Sequence, residues 1–138
     1  MSVEMSDEIM RDDIMTDADL AALLARDAGK ILLDLQNGWA DEPALLGKAG
    51  DAQANTYLVA ALHAARPDDG LLSEEEKDSE ARLAKSRVWI IDPVDGTREY
   101  GEGRTDWAVH VALAIDGVPA IGAVALPGLG LVLRSDQP

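Results

Sequence analysis

Apolar residues fall into one helical stripe, one shorter helical pattern and a series of strand-length runs. Leu20, Leu23, Leu24, Ala28, Ile31, Leu32 and Leu35 recur at spacings of three and four, the signature of a helix with one buried face. Thr16 is its expected N-cap, Asp19 completes a variant capping box, and the helix is expected to end between Gln36 and Gly38. A second helical pattern covers residues 52–65, with Asp51 at its start. Beyond the loop residues Arg66-Pro67-Asp68-Asp69-Gly70, Leu71-Leu72 reads as a short strand and Val88-Trp89-Ile90-Ile91 as a buried one that stops at Asp92-Pro93. The segment from Lys77 to Ser86 reads equally as a helical turn or a loop. Trp107, Val109, Val111, Leu113 and Ile115 then alternate with small or polar residues, Asp116-Gly117 gives a hairpin signal, and residues 121–126 return. Gly128 and Gly130 mark a further turn before Leu131 to Leu133. The expected fold class is α+β, an amino-terminal helix pair packed on a largely antiparallel sheet.

A chain of 138 residues accommodates one domain with a sizeable core. The expected division is an acidic tail over residues 1–15 and a folded unit over 16–138. The net charge of −14 repels nucleic-acid polymers and anionic lipid surfaces, so neither is an expected partner. The absence of cysteine excludes disulfides, thiolate zinc sites and cysteine nucleophiles. Acidic residues stand where a secretory signal needs basic ones. The longest uncharged run, from Gly117 to Leu133, is broken by prolines and glycines and falls short of the roughly 20 residues that cross a bilayer. A cytoplasmic, soluble protein is the expectation.

Glu74 follows the Leu71-Leu72 strand, and Asp92 and Asp95 follow the Val88 strand. Ionised carboxylates that share a cleft repel unless a cation or proton intervenes, and Mg²⁺, which prefers oxygen ligands and substrate phosphates, meets that need. Within Asp92-Pro93-Val94-Asp95-Gly96-Thr97 the proline stiffens the turn and Gly96 permits close backbone approach to a ligand. A helix starting near Gly96 would seat a phosphate on its free N–H groups. Plainer readings stand beside these: Asp-Pro-Val-Asp-Gly as a mere turn, Glu74 to Asp78 as a solvated surface, Asp51 as an N-cap, and His110 as a partly buried structural residue. No GK[ST] phosphate loop, GxGxxG fingerprint or GxSxG elbow is present.

The segments LLSEE at 71–75, WIIDPVDGTREY at 89–100 and the DWAVHVALAIDG hairpin that follows resemble the inositol monophosphatase superfamily of Mg²⁺-dependent, lithium-sensitive phosphatases. They stand in family order. Arg98-Glu99-Tyr100 resembles the Lys-Glu-Phe of the 3'(2'),5'-bisphosphate nucleotidase branch, and LLGKAGDAQAN looks like its actinobacterial members. The resemblance implies release of phosphate from 3'-phosphoadenosine 5'-phosphate, a by-product of sulfate assimilation. It implies Glu74, Asp92, the Val94 carbonyl and Asp95 as ligands of two or three Mg²⁺ ions, with Mn²⁺ substituting and Li⁺ inhibiting. It implies Gly96, Thr97 and Arg98 as substrate contacts. Asp51 paired with the Thr97 hydroxyl would polarise the attacking water, supported by Glu75. Two departures stand out. Lys48-Ala49-Gly50-Asp51 lacks the threonine of the family's Thr-x-Ala-Asp, and the family's later Trp-Asp segment does not occur. The resemblance therefore implies the amino-terminal portion of the layered α/β sugar-phosphatase fold, truncated so that its sheet edge and helix faces lack their usual cover, with a second copy or the missing carboxy-terminal half as the partners this leaves open. An inositol-phosphate or fructose-1,6-bisphosphate phosphatase, and a non-catalytic fragment acting by association, remain the alternatives.

Overall fold

The computed structural model describes residues 15–73 and 85–137. Two long helices, α1 (Asp17–Asn37) and α2 (Pro43–Ala65), precede the strands β1 (Gly70–Ser73) and β2 (Arg87–Asp95), the short helix α3 (Thr97–Gly101), and the strands β3 (Ala108–Ile115), β4 (Val118–Leu126) and β5 (Leu131–Arg134). The five strands form one sheet in chain order. The pairs β2–β3, β3–β4 and β4–β5 are antiparallel, whereas β1 lies parallel to β2.

Helix α1 follows its apolar stripe. Leu20, Leu24, Ala28 and Leu32 are buried, and the Thr16 hydroxyl accepts the Asp19 N–H at 3.0 Å. Only half of the expected capping box forms, because the Asp19 carboxylate instead accepts Arg134 Nη2 at 2.7 Å. Helix α2 begins nine residues earlier than its apolar pattern suggests, at Pro43 instead of Ala52. Proline suits a first helical position, where its missing N–H would have no partner, and Gly47 and Gly50 are retained inside the helix because both face close neighbours. Asp51 consequently lies within α2 and is not its N-cap.

Trp89 and Ile91 on β2, Val109, Val111 and Leu113 on β3, and Ala123 and Ala125 on β4 form a single core with both long helices. The alternate positions face away from the helices. Ile90, Leu131 and Leu133 are exposed there. The expected hairpin turn is realised at Asp116 and Gly117, both with positive φ (52° and 77°), the pairing a type I′ turn requires.

Strand β2 does not stop at Asp92-Pro93. It continues to Asp95 through a register shift, since Asp92 pairs with His110 and Asp95 with Ala108. An irregularity of this kind accommodates proline, which has no N–H for the ladder. No helix among the described residues is long and apolar enough to cross a membrane.

Candidate functional site

The last residues of β2 and the first of α3 form the site's corner. Side chains alternate along a strand, so positions three apart ordinarily face opposite ways. The extra residue between Asp92 and Asp95 cancels that alternation and puts both acids beside β3 at the same end of the sheet. Gly96 then takes φ +95°, and a Cβ there would lie 3.2 Å from the Asp106 carbonyl oxygen and 3.3 Å from Trp107 Cβ. Both the left-handed conformation and the close approach demand glycine. Helix α3 runs for only five residues, so its dipole is small and the expected phosphate seat would rest mainly on individual backbone N–H groups.

Helix α2 brings Asp51 to this corner. Gly47, Gly50 and Asp51 occupy positions i, i+3 and i+4, a single helix face. That face approaches α3 closely: a Cβ on Gly47 would lie 3.0 Å from Thr97 Cγ2, and one on Gly50 would lie 2.5 Å from Tyr100 Cε2. The Thr97 hydroxyl is 3.3 Å from the nearer Asp51 carboxylate oxygen and 3.2 Å from the Val94 carbonyl oxygen. A hydroxyl has one proton, so it donates to either acceptor. Engagement of the Val94 carbonyl by a cation would commit the hydroxyl to Asp51.

Tyr100 supports the corner from beneath. Its hydroxyl donates to the Leu32 carbonyl at 2.7 Å, and its ring meets Trp107 edge-on at a centroid distance of 4.8 Å. Burial, reinforced by the Asp51 charge, pushes its hydroxyl up to about 12. Gln36 Nε2 donates to the carbonyls of Tyr100 and Arg104 at 2.9 and 3.0 Å, tying the end of α1 to the loop beyond α3. In that loop the Arg104 guanidinium, bonded to Asp106, holds the Asp106 carboxyl below its ordinary value.

The structure thus brings together Asp51, Val94, Gly96 and Thr97, with Asp92 and Asp95 on the adjoining strand end. Arg98 is highly exposed and bonds Glu102 one turn further on, at 3.3 Å. Glu74 and Glu75 lie outside the described residues; β1 ends at Ser73, opposite Ile91. Ser73 donates to Asn55 Oδ1 at 2.5 Å, a buried bond that joins the end of β1 to α2 one turn beyond Asp51. His110 also reaches this corner, its Nε2 lying 3.0 Å from Asp95 Oδ2. A strand-end aspartate two residues past a proline gives no local signal for this contact; only the bulged register does. Beside Asp95 opens a cleft of about 470 Å³, lined by Gly96, Glu99, Trp107, Leu126 and Leu129 among others.

The available donors, two carboxylates and a backbone carbonyl, are hard oxygens of the type Mg²⁺ takes. Among the described residues no group of three acidic or histidine side chains is close enough to hold an ion by itself.

A helix pair on one face of a mostly antiparallel sheet, with an Asp-Pro-Val-Asp-Gly-Thr corner at a strand end, is the architecture of part of a sugar-phosphatase fold. The chain belongs to the inositol monophosphatase family, whose sequence profile matches residues 13–136. It is 52% identical over 135 residues to the 3'-phosphoadenosine 5'-phosphate phosphatase of Mycobacterium leprae (strain TN), an alignment covering 88% of this chain and 49% of that protein. It is 54% identical over 119 residues to the protein of the same name from Mycobacterium tuberculosis (strain CDC 1551 / Oshkosh), covering 80% and 44%. Among solved structures it resembles CysQ from Bacteroides thetaiotaomicron, with a TM-score of 0.72 and 28% identity over 83% of this chain and 43% of that one. Inositol monophosphatase-II from Staphylococcus aureus MSSA476 shares the fold with a TM-score of 0.76, at 23% identity over 86% and 49%. The chain spans about half the length of the curated relatives it matches.

Proposed function

We propose that the chain supplies the metal-binding half of a Mg²⁺-dependent phosphatase that releases phosphate from 3'-phosphoadenosine 5'-phosphate, a small soluble substrate of cytoplasmic sulfate assimilation. The observation that carries the reading is the hydrogen-bonded corner in which Thr97 joins Asp51 to the Val94 carbonyl. The choice of substrate is supported by the mycobacterial relatives named for that activity and by Arg98-Glu99-Tyr100 after the Asp-Gly-Thr.

In this reading Asp92, the Val94 carbonyl and Asp95, with Glu74, hold the ions. When bound, divalent ions lower the pKa of water and polarise phosphoryl oxygens. The chain's own groups do the rest. Thr97 orients the attacking water and takes up its proton as the Thr97 hydroxyl proton passes to Asp51, which accepts it. The Gly96 and Thr97 N–H groups hold phosphate oxygens, Arg98 turns from Glu102 to the substrate, and Glu75 supports a bound water. Mn²⁺ substitutes for Mg²⁺, and Li⁺ inhibits.

Phosphate release from 3'-phosphoadenosine 5'-phosphate, inositol 1-phosphate and fructose 1,6-bisphosphate, measured side by side with Mg²⁺ and with Asp92→Asn as control, tests the reading. Turnover fastest with the first substrate and abolished by the substitution supports it; preference for either of the others moves the assignment to a sibling phosphatase. A second reading, association without catalysis, is favoured by the exposed Ile90, Leu131 and Leu133 on the sheet face opposite α1 and α2. A tight oligomer in sedimentation, with no metal-dependent phosphate release, would establish that reading instead.

A further inference from the structure

His110 occupies a distinctive position. Its strand neighbours Val109 and Val111 are both fully buried against the helices, so alternation sends His110 to the opposite face. There it stands directly across from Asp92 in the antiparallel register, and residues so paired share a face. Its Nε2 lies 3.0 Å from Asp95 Oδ2. An ionised carboxylate only accepts hydrogen bonds, so the proton of this bond resides on Nε2. One imidazole therefore sits opposite the first acid of the Asp92-Pro93-Val94-Asp95 segment and bonds the second.

The second acid needs such a partner. The Asp95 side chain is 62% exposed, and rotation about the last torsion of an aspartate is broad and only weakly restrained. Unrestrained, the carboxylate would sample many orientations, and a cation would have to freeze them on binding. A donor on Oδ2 fixes the plane of the group and leaves Oδ1 as the oxygen not engaged by His110. Carboxylates that ligate metals are regularly oriented by such outer hydrogen bonds.

We propose that His110 is a positioning residue for the Asp95 carboxylate, orienting it for a divalent cation through the Nε2–H···Oδ2 bond. The proposal rests on the reading of Asp95 as a metal ligand. His110 acts through Asp95 and touches neither the cation nor the substrate.

The test is calorimetric titration of Mn²⁺ into this chain and its variants, with thermal unfolding as a check on folding. Removal of an outer hydrogen bond of this kind typically weakens metal binding about 10- to 100-fold. His110→Leu is expected to weaken Mn²⁺ binding at least about tenfold with an unfolding midpoint close to that of the parent. His110→Gln, whose amide nitrogen reaches a similar distance, is expected to restore most of the affinity. In an Asp95→Asn background His110→Leu should add no further loss, because the two changes interrupt the same interaction. If His110→Leu fails to fold, His110→Ala takes its place at this half-exposed position. Equal affinity of the parent and the His110 variants, failure of glutamine to rescue, or an undiminished effect in the Asp95→Asn background overturns the positioning role while leaving the metal site intact. Absence of Mn²⁺ binding in the parent, or parental affinity in Asp95→Asn alone, overturns the metal-site reading and the positioning role with it.

Discussion

Gly50→Ala sets two well-characterised effects against each other, and the structure decides the sign. Alanine is favoured over glycine in a helix interior by about 1 kcal/mol, so in open surroundings the substitution would stabilise α2. Here the new Cβ would lie 2.5 Å from Tyr100 Cε2 and 3.1 Å from both Tyr100 Cζ and Leu32 Cδ2. Carbon atoms pack best at about 3.5–4.0 Å, so the ring would have to move by about 1 Å. It has little freedom to do so: Tyr100 is fully buried, its hydroxyl is held by the Leu32 carbonyl at 2.7 Å, and Trp107 abuts it edge-on. Overpacking of a well-filled core costs about 1–3 kcal/mol, and a pinned aromatic ring places this site at the upper end. The expected net effect is destabilisation by about 2 kcal/mol, a fall in the unfolding midpoint of roughly 5–10 °C for a domain of this size. Thermal and urea unfolding measure it directly. Ala52→Gly, at the exposed position two residues on, calibrates helix propensity in the same element and should cost about 1 kcal/mol. A Gly50→Ala protein as stable as the parent, or more stable, would refute the close packing of α2 on α3 and the placement of Asp51 that depends on it.

Three further outcomes follow from the same contacts. Thr97→Val removes the hydroxyl between Asp51 and the Val94 carbonyl and, on the proposed function, is expected to lower phosphatase turnover by about 10²- to 10⁴-fold, whereas Thr97→Ser retains most of it; steady-state rates distinguish the two. The only tyrosines are Tyr57 and Tyr100, and burial raises both hydroxyls, Tyr57 with help from the nearby Asp27 charge and Tyr100 to about 12. Absorbance at about 295 nm should therefore show little phenolate in the folded protein at pH 10–11 and a full signal on unfolding. Because folding favours the protonated phenols, their contribution to stability is complete below about pH 10 and is lost as pH rises towards and through the folded values; Tyr100→Phe should soften this alkaline loss. Asp69 accepts Arg87 Nε at 3.1 Å and Trp89 Nε1 at 2.9 Å, so Asp69→Asn should lower stability by about 1–3 kcal/mol in denaturant titrations.

The parts of the fold that were legible in the sequence are those governed by local rules. The three-and-four spacing of α1, the threonine cap and the Asp116-Gly117 turn each act within a few residues, and each was realised. The start of α2 was less legible because Gly47 and Gly50 interrupt the apolar pattern; they are present for the approach to Thr97 and Tyr100, contacts made across the fold. Strand β2 crosses a proline that reads locally as a stop, since the register shift that accommodates it depends on β3. For the candidate site, the Asp-Pro-Val-Asp-Gly-Thr run draws attention in the sequence because it sets two acids beside a proline and a glycine, although the same run also reads as an ordinary turn. The meeting of Asp51 with Thr97 was implied only by family resemblance, and the bond from His110 to Asp95 was concealed by a bulge that no local pattern reports.

The two ends of β2 divide the work of the fold. At its start, Arg87 bonds Asp17 at the head of α1 and Asp69 ahead of β1, while Arg66 at the end of α2 bonds the same Asp17 and the Met15 carbonyl. Among the described residues these bonds knit the start of α1, the loop from α2 to β1, and the head of β2. At its far end the strand carries Asp92 and Asp95 towards Asp51, and the residue donating to Asp95 there is an imidazole, a smaller and less committed donor than a guanidinium fork. An arginine in that position would hold Asp95 in a bidentate pair and neutralise it, removing the negative charge a divalent cation requires. A histidine orients the carboxylate with one bond and leaves the second oxygen available. On this reasoning His110→Arg should bind Mn²⁺ more weakly than His110→Leu, although it alone of the two retains a hydrogen-bond donor; calorimetry with both variants checks it, and tighter binding by the arginine variant would show that orientation, not charge, dominates at this corner.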